Sequence, residues 1–287
     1  MSANDIIRRT WTYEVRDQLK RFSGRARYIQ EELGPCALDY YIRESINQLT
    51  LSMHRQQNRR LCWLDESTIQ ILAALGQVHV PEPTFDAQLQ KDGMFSNKCA
   101  NLLSFLMTQA SGNFRGIIFV DQRVTVFVLS HLLSTYPETK DLFKCGIFVG
   151  ISTNEKKKME LQDLLDPKGQ ENTLKDFREG RKNLLIATTA LEEGIDISAC
   201  NVVICFNIPP NLKSYVQRRG RARQENSTFV LFSSPNNEGD VVADWEKMEA
   251  EMIVEYRTDG RNSVKAEINP HNEVNNDTRI LRVNSTR

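Results

Sequence analysis

Five short, unbroken apolar runs constrain this 287-residue chain more than any other feature. They are Gly116–Val120 (GIIFV), Cys145–Val149 (CGIFV), Leu184–Thr188 (LLIAT), Val202–Phe206 (VVICF) and Phe229–Phe232 (FVLF). A strand with one wet face alternates apolar and polar residues. A strand covered on both faces is apolar throughout, and such strands belong to parallel sheets. Helical spacing lies between the runs. Residues 125–133 are apolar after the first, and Leu174 and Phe177 share a helix face ahead of Gly180, a residue suited to a helix end. Strand–helix alternation predicts a doubly wound α/β domain. Ligands of such sheets gather beyond the carboxyl ends of the strands, so functional residues are expected directly after the runs.

The flanks read differently. Trp11, Val15, Leu19 and Phe22 form one helical stripe; Leu38, Ile42, Ile46, Leu49 and Met53 form a second, separated from the first by Gly34-Pro35. Residues 1–80 are therefore expected to be an all-α bundle, and 81–94, with two prolines and a glycine, a linker. The α/β domain is assigned to 95–235, beginning with a helix marked by Phe95, Cys99, Leu102, Leu103 and Leu106. A surface helix follows over 236–257, with Val242, Trp245, Met248, Met252 and Tyr256 on its apolar side. The polar tail, 258–287, is expected to be largely unordered, and the alternating run Arg279–Val283 to open a following fold.

Charge is balanced, with 37 basic and 37 acidic residues, but unevenly placed. Lys213, Arg218, Arg219, Arg221 and Arg223 fall between Asn207 and Arg223 with no acid among them, and local patches decide phosphate binding. No stretch approaches the roughly 18 apolar residues of a membrane helix, and the start lacks the apolar core of a signal peptide. Six cysteines without a C-x-x-C pair, and four histidines, argue for buried free thiols in a reducing cytoplasmic or nuclear setting; no metal site is expected.

Three segments can carry chemistry. In Gln217–Arg223 (QRRGRAR), guanidinium forks suit phosphate oxygens and Gly220 permits a close backbone approach; the plainer reading is a solvated basic helix end. In Ile186–Ile197 (IATTALEEGIDI), Thr188 and Thr189 can offer hydroxyls and amides to a phosphate, and Glu192, Glu193 and Asp196 surround Gly194; the plainer reading is a strand-to-helix loop. In Ile117–Arg123 (IIFVDQR), Arg123 can meet a nucleic-acid phosphate or simply cap the sheet edge.

Their order resembles motifs IV, V and VI of superfamily 2 helicases. Ala187-Thr188, Gly194 and Asp196 match motif V; Gln217, Gly220, Arg221 and Arg223 match motif VI as Q-x-x-G-R-x-R. The wording LEEGIDI and SYVQRRGRAR is most similar to Dicer-like helicases of fungal type, which are related to the innate RNA-sensor helicases, and LGPCALDYYI resembles their helical insert. The resemblance implies a RecA-like parallel sheet flanked by helices, an N-terminal all-α insert domain, and a pincer-like linker helix over 236–257. It implies ATP with Mg²⁺ as cofactor, double-stranded RNA as partner, and a first RecA-like domain in cis or in trans. Arg221, Arg223 and Gln217 would be catalytic; Gly194, Asp196 and Gly220 would adjoin the nucleotide; Arg123, Thr188 and Thr189 would touch RNA. RNA silencing or antiviral defence is the implied setting.

No G-x-x-x-x-G-K-[ST] loop or DExH box occurs in these residues, and Leu64-Asp65-Glu66-Ser67 reads as a helix start. The chain is therefore expected to be part of a larger polypeptide and inactive alone. The alternatives are a non-catalytic RNA-binding fragment or the corresponding half of an RNA-sensor-like protein.

Overall fold

The computed structural model describes residues 13–57, 70, 71, 75, 80, 93–110, 112–149, 171–191, 200–224, 226–233, 238–259 and 279–284. The five apolar runs fold as β1 (Gly116–Phe119), β2 (Cys145–Phe148), β3 (Leu184–Ala187), β4 (Val202–Cys205) and β5 (Thr228–Ser233). Every residue of β1, β3 and β4 is buried, as their continuous apolar character requires. A sixth strand, β6 (Arg279–Asn284), joins them, and all neighbours pair in parallel in the order β2-β3-β1-β4-β5-β6.

The alternating run at Arg279–Val283 is a strand of this sheet: it pairs with β5 from Thr228↔Arg279 to Ser233↔Asn284 and stands last in the strand order. A six-residue alternating segment has no stability alone, whereas a pre-formed parallel neighbour satisfies its backbone groups.

Helices cover both faces. On one side lie α1 (Tyr13–Leu33), α2 (Pro35–Gln57), α3 (Asn97–Gln109) and α4 (Arg123–Thr135). Their buried residues, among them Val15, Tyr41, Leu102 and Leu129, share one core with Ile118, Ile186, Ile204 and Val230 of the sheet. On the other side, Phe177 of α5 (Glu171–Arg178), Tyr215 of α6 (Leu212–Arg219) and Val242 of α7 (Glu238–Asp259) pack with Ile117, Leu185, Val203 and Phe229. Successive strand residues alternate between these cores, the period of two that a pleated strand imposes. At about 1.5–3 kcal/mol for each large apolar side chain buried, the two-sided cover is the main stabilising term. This is the RecA-like α/β sheet with a preceding helical region that the sequence implied.

The apolar side expected for α7 is displaced. Val242 is buried, but Met248 and Met252 are 46% and 60% exposed, while Glu249 is buried. An ion pair explains the exchange: Arg219 at the end of α6 bonds Glu249. Among the described residues, no helix is long and apolar enough to cross a membrane. Cys36, Cys99, Cys200 and Cys205 are buried free thiols. The near-match at Leu64–Ser67 and Cys62 lie outside the described residues.

Candidate functional site

With all strands parallel, the sheet has one carboxyl edge and one amino edge. Arg123, Thr188 and Thr189 lie at the carboxyl edge, Arg123 as the first residue of α4 after β1 and the threonines directly after β3. β1 and β3 are hydrogen-bonded neighbours, so these two groups share one side of the edge. Thr188 is buried, and its amide donates to the Phe148 carbonyl at 3.2 Å. Its amide is therefore spent on the sheet, and only its hydroxyl can meet a ligand. Thr189 is exposed and starts a single 3₁₀ turn, Thr189–Leu191. Gly194 and Asp196, with Glu192 and Glu193, lie outside the described residues.

The arginine-rich segment arrives at the opposite edge. Asn211 caps α6, accepting from the Ser214 amide at 2.9 Å, and the helix runs back against the direction of β4. Eight helical residues rise about 12 Å, close to the roughly 13 Å of a four-residue strand, so the helix ends level with the start of β4. There Ala222 bridges Cys200, and the Gln224 amide donates to the Cys200 carbonyl at 3.3 Å. Arg221 and Arg223 flank that bridge. Burial pushes the Cys200 thiol up to about 12, against the pull of the Arg115, Arg221 and Arg223 charges around it. Of the residues singled out in the sequence, Arg123 and the threonines directly follow apolar runs at the carboxyl edge, whereas a return helix carries Gly220, Arg221 and Arg223 to the amino edge.

Gly220 has a helical φ of −63°, and its amide donates to the Val216 carbonyl at 2.8 Å. A Cβ there would sit 3.2 Å from that carbonyl oxygen, so the close neighbour is the glycine's own helix. Gln217 is half-buried in the last turn of α6.

The four arginines divide. Arg218 is fully buried: its guanidinium carbon lies 5.1 Å from the centre of the Phe119 ring, and Nη1 donates to the Asn207 carbonyl at 3.4 Å. Arg219 lies over Tyr215, 5.6 Å from the ring centre, and pairs with Glu249, whose carboxyl is pushed up by burial against the pull of Arg219. Arg221 is half-buried, and Arg223 is exposed with Nε donating to the Gly220 carbonyl at 2.9 Å. The first two hold the fold; the second two occupy the edge.

Beside them is a basic hollow lined by Arg115, Lys144, Lys182, Asn183 and Gln224. Arg115 donates to the Arg178 carbonyl at 3.2 Å and Lys182 to the Cys145 carbonyl at 2.7 Å. These are neutral acceptors, and among the described residues neither cation forms an ion pair. Sequence reading passed over Arg115 and Lys182 because each comes before a strand rather than after one. Among the described residues, no three His, Cys, Asp or Glu side chains converge as metal ligands.

The helicase conserved C-terminal domain family matches residues 97–225. Dicer-like protein 2-1 of Aspergillus niger is 45% identical over 245 residues, 85% of this chain and 18% of the relative. Dicer-like protein 2 of Aspergillus oryzae is 41% identical over 263 residues, 91% of this chain and 19% of the relative. The chain spans about a fifth of the length of these relatives.

Proposed function

This chain belongs to the Dicer-like superfamily 2 helicases, homologous to the helicase C-terminal domain of fungal Dicer-like protein 2, and from that premise we propose that it is the second half of an ATP-dependent double-stranded-RNA helicase or translocase. The observation that carries the reading is the division of the arginines: Arg218 and Arg219 are spent on packing, while Arg221 and Arg223 stand together at the amino edge beside Arg115. In this reading a first RecA-like domain, in cis or in trans, supplies the phosphate loop and the Mg²⁺ ligands. Arg221 and Arg223 meet the charge that develops on the γ-phosphate, Gln217 lies beside it, and Gly194, Asp196 and Gly220 border the nucleotide. The residues fit that group: Arg115, Lys144 and Lys182 form no ion pair among the described residues, so the edge remains electropositive toward a polyanion. An arginine finger is worth about 10³ to 10⁵ in rate, roughly 4 to 7 kcal/mol of barrier.

Arg123, Thr188 and Thr189 contact RNA backbone phosphates at the carboxyl edge. Such contacts position a duplex without reading its sequence. RNA silencing or antiviral defence, in the cytoplasm or nucleus, is the setting this reading assigns. A second reading, RNA binding without turnover, applies to the chain by itself, because its own sequence has no phosphate loop.

The test is ATP hydrolysis by a polypeptide joining this chain to a first RecA-like domain, with duplex RNA and Mg²⁺ present. Arg221→Ala should lower kcat by about 10³ or more with the far-ultraviolet dichroism unchanged. Turnover near the wild-type rate would overturn the assignment.

A further inference from the structure

Asn207 is the residue where the helical region, the carboxyl edge and the arginine helix meet. It follows β4 and is buried. Its Oδ1 accepts the Asp121 amide at 3.1 Å, at the end of β1 and two residues before Arg123. Its Nδ2 donates to Glu32 Oε2 of α1 at 3.0 Å and lies 3.4 Å from the Tyr28 hydroxyl. Its backbone carbonyl accepts from Arg218 of α6 at 3.4 Å.

The far partner is itself fixed. Glu32 Oε2 also accepts from Lys98 Nζ of α3 at 2.6 Å, and the Glu32 carbonyl accepts from Ser96 Oγ at 2.5 Å. The Lys98 ammonium stands 4.4 Å from the centre of the Phe206 ring, next to Asn207 in the chain. One carboxylate on the last turn of α1 therefore ties α3 and the ends of β1 and β4 together.

We propose that Asn207 and Glu32 form a positioning junction that sets the Asp121–Arg123 loop from the helical region. A side-chain amide suits this place. The Asp121 amide needs an acceptor and the Glu32 carboxylate needs a donor, and Asn offers one of each in a fixed geometry. A carboxylate at 207 would accept from Asp121 but oppose Glu32; an alanine would remove this acceptor from the Asp121 amide and leave Glu32 with Lys98. Movement of α1 is transmitted through two hydrogen bonds to the loop that starts α4, and through the Asn207 carbonyl to α6. The RNA arm of this inference rests on the assignment of Arg123 to the RNA backbone; the junction itself does not.

A swap of carboxylate and amide tests it on the whole 287-residue chain. Asn207→Asp places two carboxylates together, and Asn207→Asp with Glu32→Gln restores donor and acceptor in reversed order. Two readouts are taken: hydrogen exchange at the Asp121 and Gln122 amides by NMR, and affinity for a blunt duplex RNA by fluorescence anisotropy. In Asn207→Asp, exchange should accelerate by about tenfold or more and RNA affinity fall by about tenfold, the scale of one lost charge-assisted hydrogen bond. The double variant should recover most of both. Glu32→Ala, which leaves Asp121 its acceptor, is the gentler variant should Asn207→Asp not fold, and it should accelerate exchange to a lesser degree. Unchanged exchange in a folded single variant, or no recovery in the double variant, overturns the junction whatever the RNA does. Altered and rescued exchange with unaltered RNA affinity overturns the positioning role. A wild-type chain that does not bind the duplex counts against the RNA reading, while the exchange data still decide the junction.

Discussion

The guanidinium of Arg218 has lost its water and is compensated by the Phe119 ring and the Asn207 carbonyl. Arg223, five residues on, is exposed. Their substitutions should therefore separate cleanly. Arg218→Ala should cost about 2–4 kcal/mol of folding stability, because it removes a desolvated cation–π contact and a charged hydrogen bond and leaves a cavity. Arg223→Ala should shift stability by no more than about 0.5 kcal/mol. Chemical denaturation of the two variants checks this, and equal losses would show that the division drawn between them is wrong. The heptapeptide QRRGRAR was legible as an anion-binding segment but not as two pairs of arginines with different tasks. A clue was present in helical phase: Arg218 is three residues after Tyr215 and four after Ser214, and all three share the buried face. Read as charge alone, that face is invisible.

At the scale of elements, the apolar stripes of α1 to α3 were plain in the sequence, and so was the break at Gly34-Pro35. What the break achieves was not. Gly34 has φ +103°, and a Cβ on it would lie 2.5 Å from the Ser96 nitrogen, because the segment entering α3 crosses there and bonds both helices, Cys36 amide to Met94 carbonyl and Ser96 amide to Leu33 carbonyl. Gly34→Ala should cost about 2–4 kcal/mol, well beyond the small entropic gain of replacing a glycine, and a thermal melt will read it. Between α2 and α4, Tyr40 and His131 stack with ring centres 3.6 Å apart. Burial, and then the Arg43 charge, push the His131 pKa below its ordinary 6.5. The unfolded chain therefore takes up this proton first. Stability is fully present above about pH 6.5 and is lost as pH falls through that value toward the lower folded pKa. His131→Phe keeps the stack and removes the proton. Its melting temperature should fall less than that of the wild type between pH 7.5 and 5. Parallel pH profiles would remove His131 from the acid sensitivity. For α7, the stripe of Met248 and Met252 looked like the buried side because side-chain apolarity was the only available guide. The Arg219–Glu249 pair rotates the helix from that face, and a long-range ion pair leaves no periodic trace in sequence.

For the molecule as a whole, the positions of the first five strands and the two-sided burial of β1, β3 and β4 could be read in advance because a parallel sheet writes itself as unbroken apolar runs. β6 could not, since Arg279–Asn284 is half polar and gains its place only from β5. Nor could the separation of the candidate sites, which depends on the return direction of α6 rather than on any local motif. That separation has a functional consequence. If nucleotide contacts occupy the amino edge and RNA contacts the carboxyl edge, the two ligands act through the body of the sheet and not through shared side chains. Residues at each edge should then fail differently. In the polypeptide that includes a first RecA-like domain, Arg221→Ala should abolish turnover yet leave duplex affinity within about twofold, a change under roughly 0.5 kcal/mol. Arg123→Ala should instead raise the RNA concentration needed for half-maximal stimulation and lower the slope of log affinity against log salt by about 1, the signature of one lost phosphate contact. That loss should be uniform across RNA sequences, because a phosphate contact carries no base information. Salt titrations of RNA binding and RNA titrations of ATP hydrolysis, made on the same two variants, give both quantities. Should Arg221→Ala weaken RNA binding as much as Arg123→Ala does, the two sites are one, and the edge-to-edge arrangement is not how this sheet works.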